Sequence, residues 1–326
     1  MVSRLALGTM TWGRDTDEDD AAAQLVAFVG AGGTLVDTAD IYAEGRSEEV
    51  LGRLLADVVP RDEVLVATKA WGPTGPGPMG RGTSRGHLLA ALDASLRRLG
   101  LEHVDLWQLH GWDALTPWEE AMAALDTAVA SGRVRYAGVS NYSGWQTAMT
   151  ATHQRAWPGR APLVSTQVEY SLLQRGVERE VLPAAQALGL GVLPWSPLAG
   201  GVLTGKYRGG APSDSRGAHE PGFSAALDAD PGARSIVDAV VTAADGLGVS
   251  PVAVSLAWVR DRPGVTAPVV GARTSAQLQG ALAAEQLVLP DAIRAALDDV
   301  SAPVVGYPER PHDAWSSPDV ETAPLP

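Results

Sequence analysis

Short apolar runs recur along this chain with longer, helically periodic segments between them. Eight runs fall at about residues 4–8, 34–37, 64–68, 104–109, 134–139, 164–167, 190–195 and 266–270. They are continuously apolar rather than alternating, as strands buried on both faces of a parallel sheet should be. Between them, residues 83–99 set Leu89, Leu92, Leu96 and Leu99 on one stripe, with Gly100 placed to end the helix. Thr116-Pro117-Trp118-Glu119 reads as a capping box with proline at the first helical position, and Met122, Leu125 and Val129 as the apolar face behind it. Ser250-Pro251 opens another helix, which ends before Pro263, and Thr274 with Gln277 opens one more after the last strand. Strand–helix alternation repeated eight times predicts a single (β/α)8 TIM barrel rather than an open doubly wound sheet.

Three segments stand outside the alternation. Residues 72–82 and 208–232 are rich in Gly and Pro and read as long rim loops, the second mobile and following the seventh strand. Residues 303–326 hold six prolines and read as an irregular tail. The expected division is a barrel over 1–302 and a tail over 303–326, either part of the same domain or flexible.

The rim carries the polar residues. Asp37, Lys69, His110, Asn141 and Gln167 each stand just past a separate apolar run. Chemistry in such barrels is carried at the carboxyl ends of the strands, so the pattern predicts an enzyme and nominates its residues. A tyrosine hydroxyl, with an ordinary pKa of about 10, becomes a usable acid when an ammonium stabilises its phenolate. Tyr42 lies in the loop after Asp37, and Lys69 on the next strand could supply that charge. Asp37 could hold the lysine, and His110 could hydrogen-bond a substrate carbonyl oxygen. These four suit protonation of an alkoxide as hydride reaches carbon.

Composition narrows the alternatives. The 326 residues are 45% hydrophobic, and net charge is 25 − 38 = −13, with no basic stripe. Nucleic acid and an anionic membrane are therefore not expected partners. There is no cysteine, and the six histidines show no metal-ligand spacing, so no metal site is expected. The N-terminus lacks a signal-like apolar stretch and no run reaches about 18 apolar residues, so a cytoplasmic location is the expectation. Oligomeric state has no signal here.

The motifs now resemble a known family. Gly8-Thr9-Met10-Thr11-Trp12-Gly13, Asp37-Thr38-Ala39-Asp40-Ile41-Tyr42, Lys69, Asp105-Leu106-Trp107-Gln108-Leu109-His110, Gly138-Val139-Ser140-Asn141-Tyr142, Gln167-Val168-Glu169-Tyr170, Trp195-Ser196-Pro197-Leu198-Ala199-Gly200-Gly201 and Gly271-Ala272-Arg273-Thr274 stand in the order of the aldo-keto reductases. Leu203-Thr204-Gly205-Lys206-Tyr207 is most similar to a bacterial, NADPH-dependent branch. The resemblance implies a catalytic tetrad of Asp37, Tyr42, Lys69 and His110, with Tyr42 as proton donor to a small-molecule carbonyl substrate. It implies that Ser140, Asn141 and Gln167 hold the nicotinamide carboxamide and that Trp195 stacks on its ring. Ser196, Leu198 and Gly200 would follow the pyrophosphate, and Lys206, Gly271 and Gln277 are assigned to the cofactor as well. Arg273 would pair with an adenosine 2′-phosphate, favouring NADP(H) over NAD(H). The helix opening at Thr274 favours phosphate in the same place.

Two positions depart from the family pattern. Gly280 and Ala281 replace a Glu-Asn pair at the adenine, and few residues precede Leu5-Ala6-Leu7-Gly8, so a hairpin plugging the barrel bottom is expected to be missing. Trp12, Trp71 and Trp112 lie in rim loops, as candidate substrate-pocket residues or lids over the core. Glu48-Glu49 reads as solvated surface, and the acidic run 15–20 as a helix start. The same fold and tetrad also serve regulatory subunits of the potassium-channel beta type, which turn over slowly. A barrel glycosidase would need two facing carboxylates, and only Asp37 is well placed.

Overall fold

The computed structural model describes residues 1–210, 212–213, 215, 231–304 and 306. All eight expected strands form: β1 Ala6–Gly8, β2 Leu35–Asp37, β3 Leu65–Ala70, β4 Val104–Leu109, β5 Val134–Ser140, β6 Leu163–Glu169, β7 Gly191–Trp195 and β8 Val269–Gly271. They pair in parallel in the order β7-β6-β5-β4-β3-β2-β1-β8. The ring is completed between its end strands at one bridge, Val192 to Val265, where Thr266 N–H donates to Val192 O at 2.8 Å. Gly191 permits this approach, because a Cβ there would lie 2.6 Å from Thr266 Oγ1. The fold is a (β/α)8 barrel. Most of the 208–232 loop and of the 303–326 tail lies outside the described residues.

The helices are α1 Glu18–Gly30, α2 Arg46–Asp57, α3 Arg85–Leu99, α4 Trp118–Ala130, α5 Gly144–Ala156, α6 Val181–Ala187, α7 Pro231–Leu247, α8 Pro251–Arg260, α9 Ser275–Leu282 and α10 Asp291–Val300. Among the described residues, no single helix is long and apolar enough to cross a membrane. The acidic run does open α1: Asp17 caps it, accepting from Asp20 N–H, and Glu18, Asp19 and Asp20 fill its first turn. Gly100 ends α3 at φ 64°, and Ser250 and Thr274 cap α8 and α9.

Two local expectations fail. Thr116 does not cap α4; its hydroxyl donates to Asp113 at 2.8 Å, and Pro117 takes the cap position without a side-chain bond. The true capping box is Ser143 with Gln146 on α5. Glu48 is not solvated either. It is wholly buried, taking Thr68 Oγ1 at 2.5 Å and Arg98 Nε at 2.7 Å. Gly45 makes room for that arginine, since a Cβ there would sit 2.8 Å from Arg98 Cδ.

Inside the barrel, side chains alternate with the strand pleat. Ala6, Leu35, Ala67, Leu106, Leu193, Ala267 and Val269 form a small apolar cluster, with Leu65 and Val164 packed on it. The outward-facing residues of the strands join the helices in a much larger core. Moving along the strands towards their carboxyl ends, the inward positions change from Leu35 to Asp37 and from Leu65 and Ala67 to Lys69. The apolar filling is thus a floor beneath a polar mouth.

Candidate active site

Lys69 is the centre of that mouth and is wholly buried. Its Nζ donates to Asp37 Oδ2 at 2.5 Å, to the Thr38 carbonyl at 2.8 Å and to Tyr42 Oη at 3.1 Å. An ammonium has three protons, and all three are used. The other Asp37 oxygen accepts from Gln167 Nε2 at 2.8 Å and, more loosely, from Gln108 Nε2 at 3.4 Å. Four strands therefore meet on one carboxylate: β2, β3, β4 and β6.

Tyr42 reaches the lysine from a strained turn. Ala43 and Glu44, at φ 49° and 60°, follow it in the left-handed region, and Gly45 continues at φ 92°. Non-glycine residues there cost on the order of 1 kcal/mol each. The turn is pinned from behind by Ser47, whose hydroxyl lies 2.7 Å from Thr9 Oγ1 and 3.0 Å from Thr38 Oγ1. The Tyr42 ring meets His110 edge-on at 5.8 Å.

The charges follow from this packing. Burial alone would strip the Lys69 ammonium of its proton, but Asp37, the tyrosine oxygen and their hydrogen bonds outweigh it and raise its pKa. Burial pushes the Tyr42 hydroxyl up. Lys69 acts in the expected downward direction but does not overcome burial and the Asp37 and Asp40 charges. Burial, with Lys69 in support, pushes His110 down to about 3, so its imidazole is neutral and Nδ1 has no partner. A neutral imidazole beside a tyrosine hydroxyl is a suitable oxygen-binding pair.

The expected cofactor residues divide into groups. Asn141, at φ 59°, donates to the His110 carbonyl at 2.9 Å and accepts from the Trp195 indole at 2.9 Å. It therefore orients Trp195. Ser140 Oγ is buried and has no partner, which fits a polar group of a bound ring. Gln167 faces Asp37. Ser196 lies at φ 51°, Leu198 caps the short helical turn Ala199–Thr204, and Gly200 lies within it at φ 61°. Lys206 Nζ stands over the Tyr207 ring at 5.0 Å, and Gly271 is exposed on the β8 end. At the start of α9 several amides are already engaged. Ser275 N–H goes to Asp20 at 3.1 Å, Gln277 N–H to Thr274, and Arg273 N–H to Gln277 Oε1 at 3.0 Å. The Ser275 and Gln277 amides of the first turn are thus engaged within the chain, as is the Arg273 amide just before the cap.

The three tryptophans separate too. Trp12 is wholly buried, and its indole donates to Gln24 of α1 at 3.2 Å, the placement of a lid over the core. Trp71 is 38% exposed and covers Gly111, and Trp112 stacks edge-on against Tyr142 and Trp145. Asp113 accepts from the Thr83 and Leu115 amides and the Thr116 hydroxyl. Gln108 was not singled out from the sequence. Its signal was its position two residues before His110, on the same inward face of β4.

Fold and site define the class: a (β/α)8-barrel enzyme with a tyrosine, a lysine and an aspartate in hydrogen-bond contact at its carboxyl-end mouth. The chain belongs to the Aldo/keto reductase family, whose profile matches residues 4–302. It is 39% identical to "Uncharacterized oxidoreductase YrpG" of Bacillus subtilis (strain 168), covering 92% of each chain. It is 38% identical to "L-glyceraldehyde 3-phosphate reductase" of Escherichia coli (strain K12), over 72% of this chain and 69% of that one. It is also 36% identical to "Probable voltage-gated potassium channel subunit beta" of Oryza sativa subsp. japonica, over 95% of each. The chain is an NAD(P)H-dependent oxidoreductase.

Proposed function

We propose that this chain reduces an aldehyde or ketone to its alcohol, reversibly, with Tyr42 as proton donor and NADPH preferred over NADH. The observation that carries the reading is the Lys69 ammonium, fixed by Asp37 and donating to the Tyr42 oxygen. Reduced nicotinamide, when bound, supplies hydride to the carbonyl carbon. Tyr42 then breaks its O–H bond, the proton joins the carbonyl oxygen, and the electron pair stays on the phenolate. Lys69 stabilises that phenolate, and Asp37 keeps Lys69 charged and in place. Neutral His110 holds the carbonyl oxygen beside Tyr42. Ser140, Gln167 and the Asn141-oriented Trp195 would hold the nicotinamide end. Arg273 would hold the 2′-phosphate.

We read 1–302 as the catalytic barrel and the cytoplasm as its location. The test is NADPH oxidation with a reactive aldehyde by wild type and Tyr42→Phe. Turnover by wild type that Tyr42→Phe loses supports the reading; equal turnover by both overturns it. Wild type that binds NADPH but does not turn over favours a regulatory role of the potassium-channel beta kind.

A further inference from the structure

One carboxyl in this region has no chemistry assigned and no side-chain partner. Asp40 lies between Asp37 and Tyr42 in the β2 loop and is 2% exposed. Its backbone N–H is fixed to the Lys69 carbonyl at 3.1 Å, but neither side-chain oxygen accepts a hydrogen bond. Burying a carboxylate without partners is costly, so such groups are normally paired.

The surrounding cations explain why it is not. Lys69 has spent its three protons on Asp37, Thr38 and Tyr42. Arg98, from α3, is committed to Glu48 through Nε at 2.7 Å and Nη2 at 2.6 Å, and to Ser95 at 3.3 Å. Glu48, from α2, faces Asp40 with a like charge, while Arg98, the adjacent Ile41 amide and Lys69 pull the other way without outweighing burial. Burial first, and Glu48 second, push the Asp40 carboxyl up to about 7. Below that value it is neutral in the folded protein, at a cost that grows as pH rises from the ordinary carboxylate range towards 7. Above it, a negative charge appears beneath the tyrosine turn, where it raises the Tyr42 hydroxyl along with Asp37.

We propose that Asp40 is a positioning residue that acts through Tyr42: its ionisation keeps the proton on the tyrosine as pH rises, extending carbonyl reduction into the alkaline range and delaying alcohol oxidation. No bond to Asp40 forms or breaks in the reaction; it gains and loses only its own proton, with solvent. The proposal rests on Tyr42 being the proton donor.

The test measures kcat/KM against pH, in both directions, for wild type, Asp40→Asn and Asp40→Ser. Tyr42→Phe serves as the separate control. The expected result is that the alkaline limb of reduction moves to lower pH in both Asp40 variants. The limb for alcohol oxidation should move down with it, giving several-fold less reduction and more oxidation just above the wild-type midpoint. A uniform loss at every pH, with both limbs unmoved, marks a structural role and overturns the proposal. Turnover by Tyr42→Phe with the wild-type limb overturns instead the proton-donor reading. The wild-type infrared spectrum gives a check that needs no variant. It should contain a protonated-carboxyl stretch that disappears on titration through neutral pH, and absence of that band also overturns the proposal.

Discussion

Two tyrosines in this molecule, Tyr170 wholly buried and Tyr42 half-buried, sit on ion pairs, and they are built for opposite ends. Tyr170, just after β6, donates its hydroxyl to Glu178 at 2.5 Å and accepts from Arg262 Nε at 3.1 Å. Around it Arg175 grips Glu178 at 2.8 Å through two nitrogens, Arg262 pairs with Asp298 at 2.8 Å, and the Trp258 indole bonds Asp298 at 2.9 Å. Both guanidiniums also lie over the Trp258 ring, at 5.3 and 4.8 Å. None of these side chains has an unpaired buried polar atom. Tyr42 differs in the use of its proton. Its oxygen accepts from Lys69, but among the described residues no acceptor is bonded to its hydroxyl hydrogen. Close to it Asp40, Gln108, His110 and Ser140 all keep unpartnered atoms. The Tyr170 constellation is complete and holds the β6 loop to α10. The Tyr42 constellation is incomplete, which is what a site awaiting other molecules requires.

The strongest way to break this contrast is to remove one hydroxyl at a time. Tyr42→Phe should lower kcat by about 10²–10⁴-fold, the usual contribution of a positioned general acid. It should cost little stability, since Lys69 keeps its carboxylate. Tyr170→Phe should leave kcat alone and cost about 1–3 kcal/mol in urea unfolding, as a lost charge-assisted hydrogen bond does. If Tyr170→Phe loses turnover and Tyr42→Phe keeps it, the assignment is reversed.

Lys69→Met takes the contrast to the charges. It leaves Asp37 buried with only amide donors, which should cost about 3–5 kcal/mol. Lys69→Met with Asp37→Asn should recover much of that in a chemical melt, without recovering turnover. Equal stability of wild type and the single variant would mean that the pair is not held as an ion pair.

Acid should reach the Tyr42 region through His110. The folded protein holds this histidine down at about 3 against an ordinary value near 6.5. An imidazole depressed by burial contributes stability that is complete above its unfolded value and lost as pH falls from about 6.5 towards 3. The full loss is on the order of 3–5 kcal/mol. Asp40 runs the other way: as an acid raised on folding, its contribution is fully present below the ordinary carboxylate value and is lost as pH rises from there to about 7. Melts of His110→Asn against wild type should therefore converge near neutral pH and diverge below it, with the variant less acid-sensitive. Parallel melts across that window would remove His110 as the source.

The sequence exposed the Tyr42 region better than its surroundings, for physical reasons. Strands buried on both faces leave continuous apolar runs, and polar residues at their ends stand out; hence Asp37, Lys69 and His110 were legible. Side-chain direction inside loops leaves no such trace. Trp12 lies in a rim loop, yet its ring turns inward to Gln24, and only the buried stripe Ala21, Gln24, Leu25 and Phe28 on α1 hints that a polar partner waits there. Glu48 was readable and misread. It precedes Leu51 and Leu55 on the buried face of α2, while Glu49 beside it is exposed. Long-range competition hid the rest: nothing near Thr116 says that Asp113 will take its hydroxyl, and nothing near Thr274 says that Asp20 will occupy the first amide of α9.

The smallest predicted effect compares two buried serines. Ser301 Oγ donates to the Leu297 carbonyl at 2.6 Å and accepts from Arg175 Nη1 at 2.9 Å, so both capacities are used. Ser140 Oγ is equally buried and uses neither. Ser301→Ala should therefore cost about 1 kcal/mol of stability and leave cofactor affinity unchanged. Ser140→Ala removes an unpaired polar atom, so the empty protein should be as stable as wild type or slightly more so. Its cost should appear only with ligand, as weaker NADPH binding by about 1 kcal/mol, close to fivefold in Kd. Fluorescence titration and urea melts on the two variants would read these effects separately. A Ser140→Ala protein that unfolds early and binds normally would make Ser140 part of the scaffold, and the line between the two regions would have to be redrawn on the β5 side of the mouth.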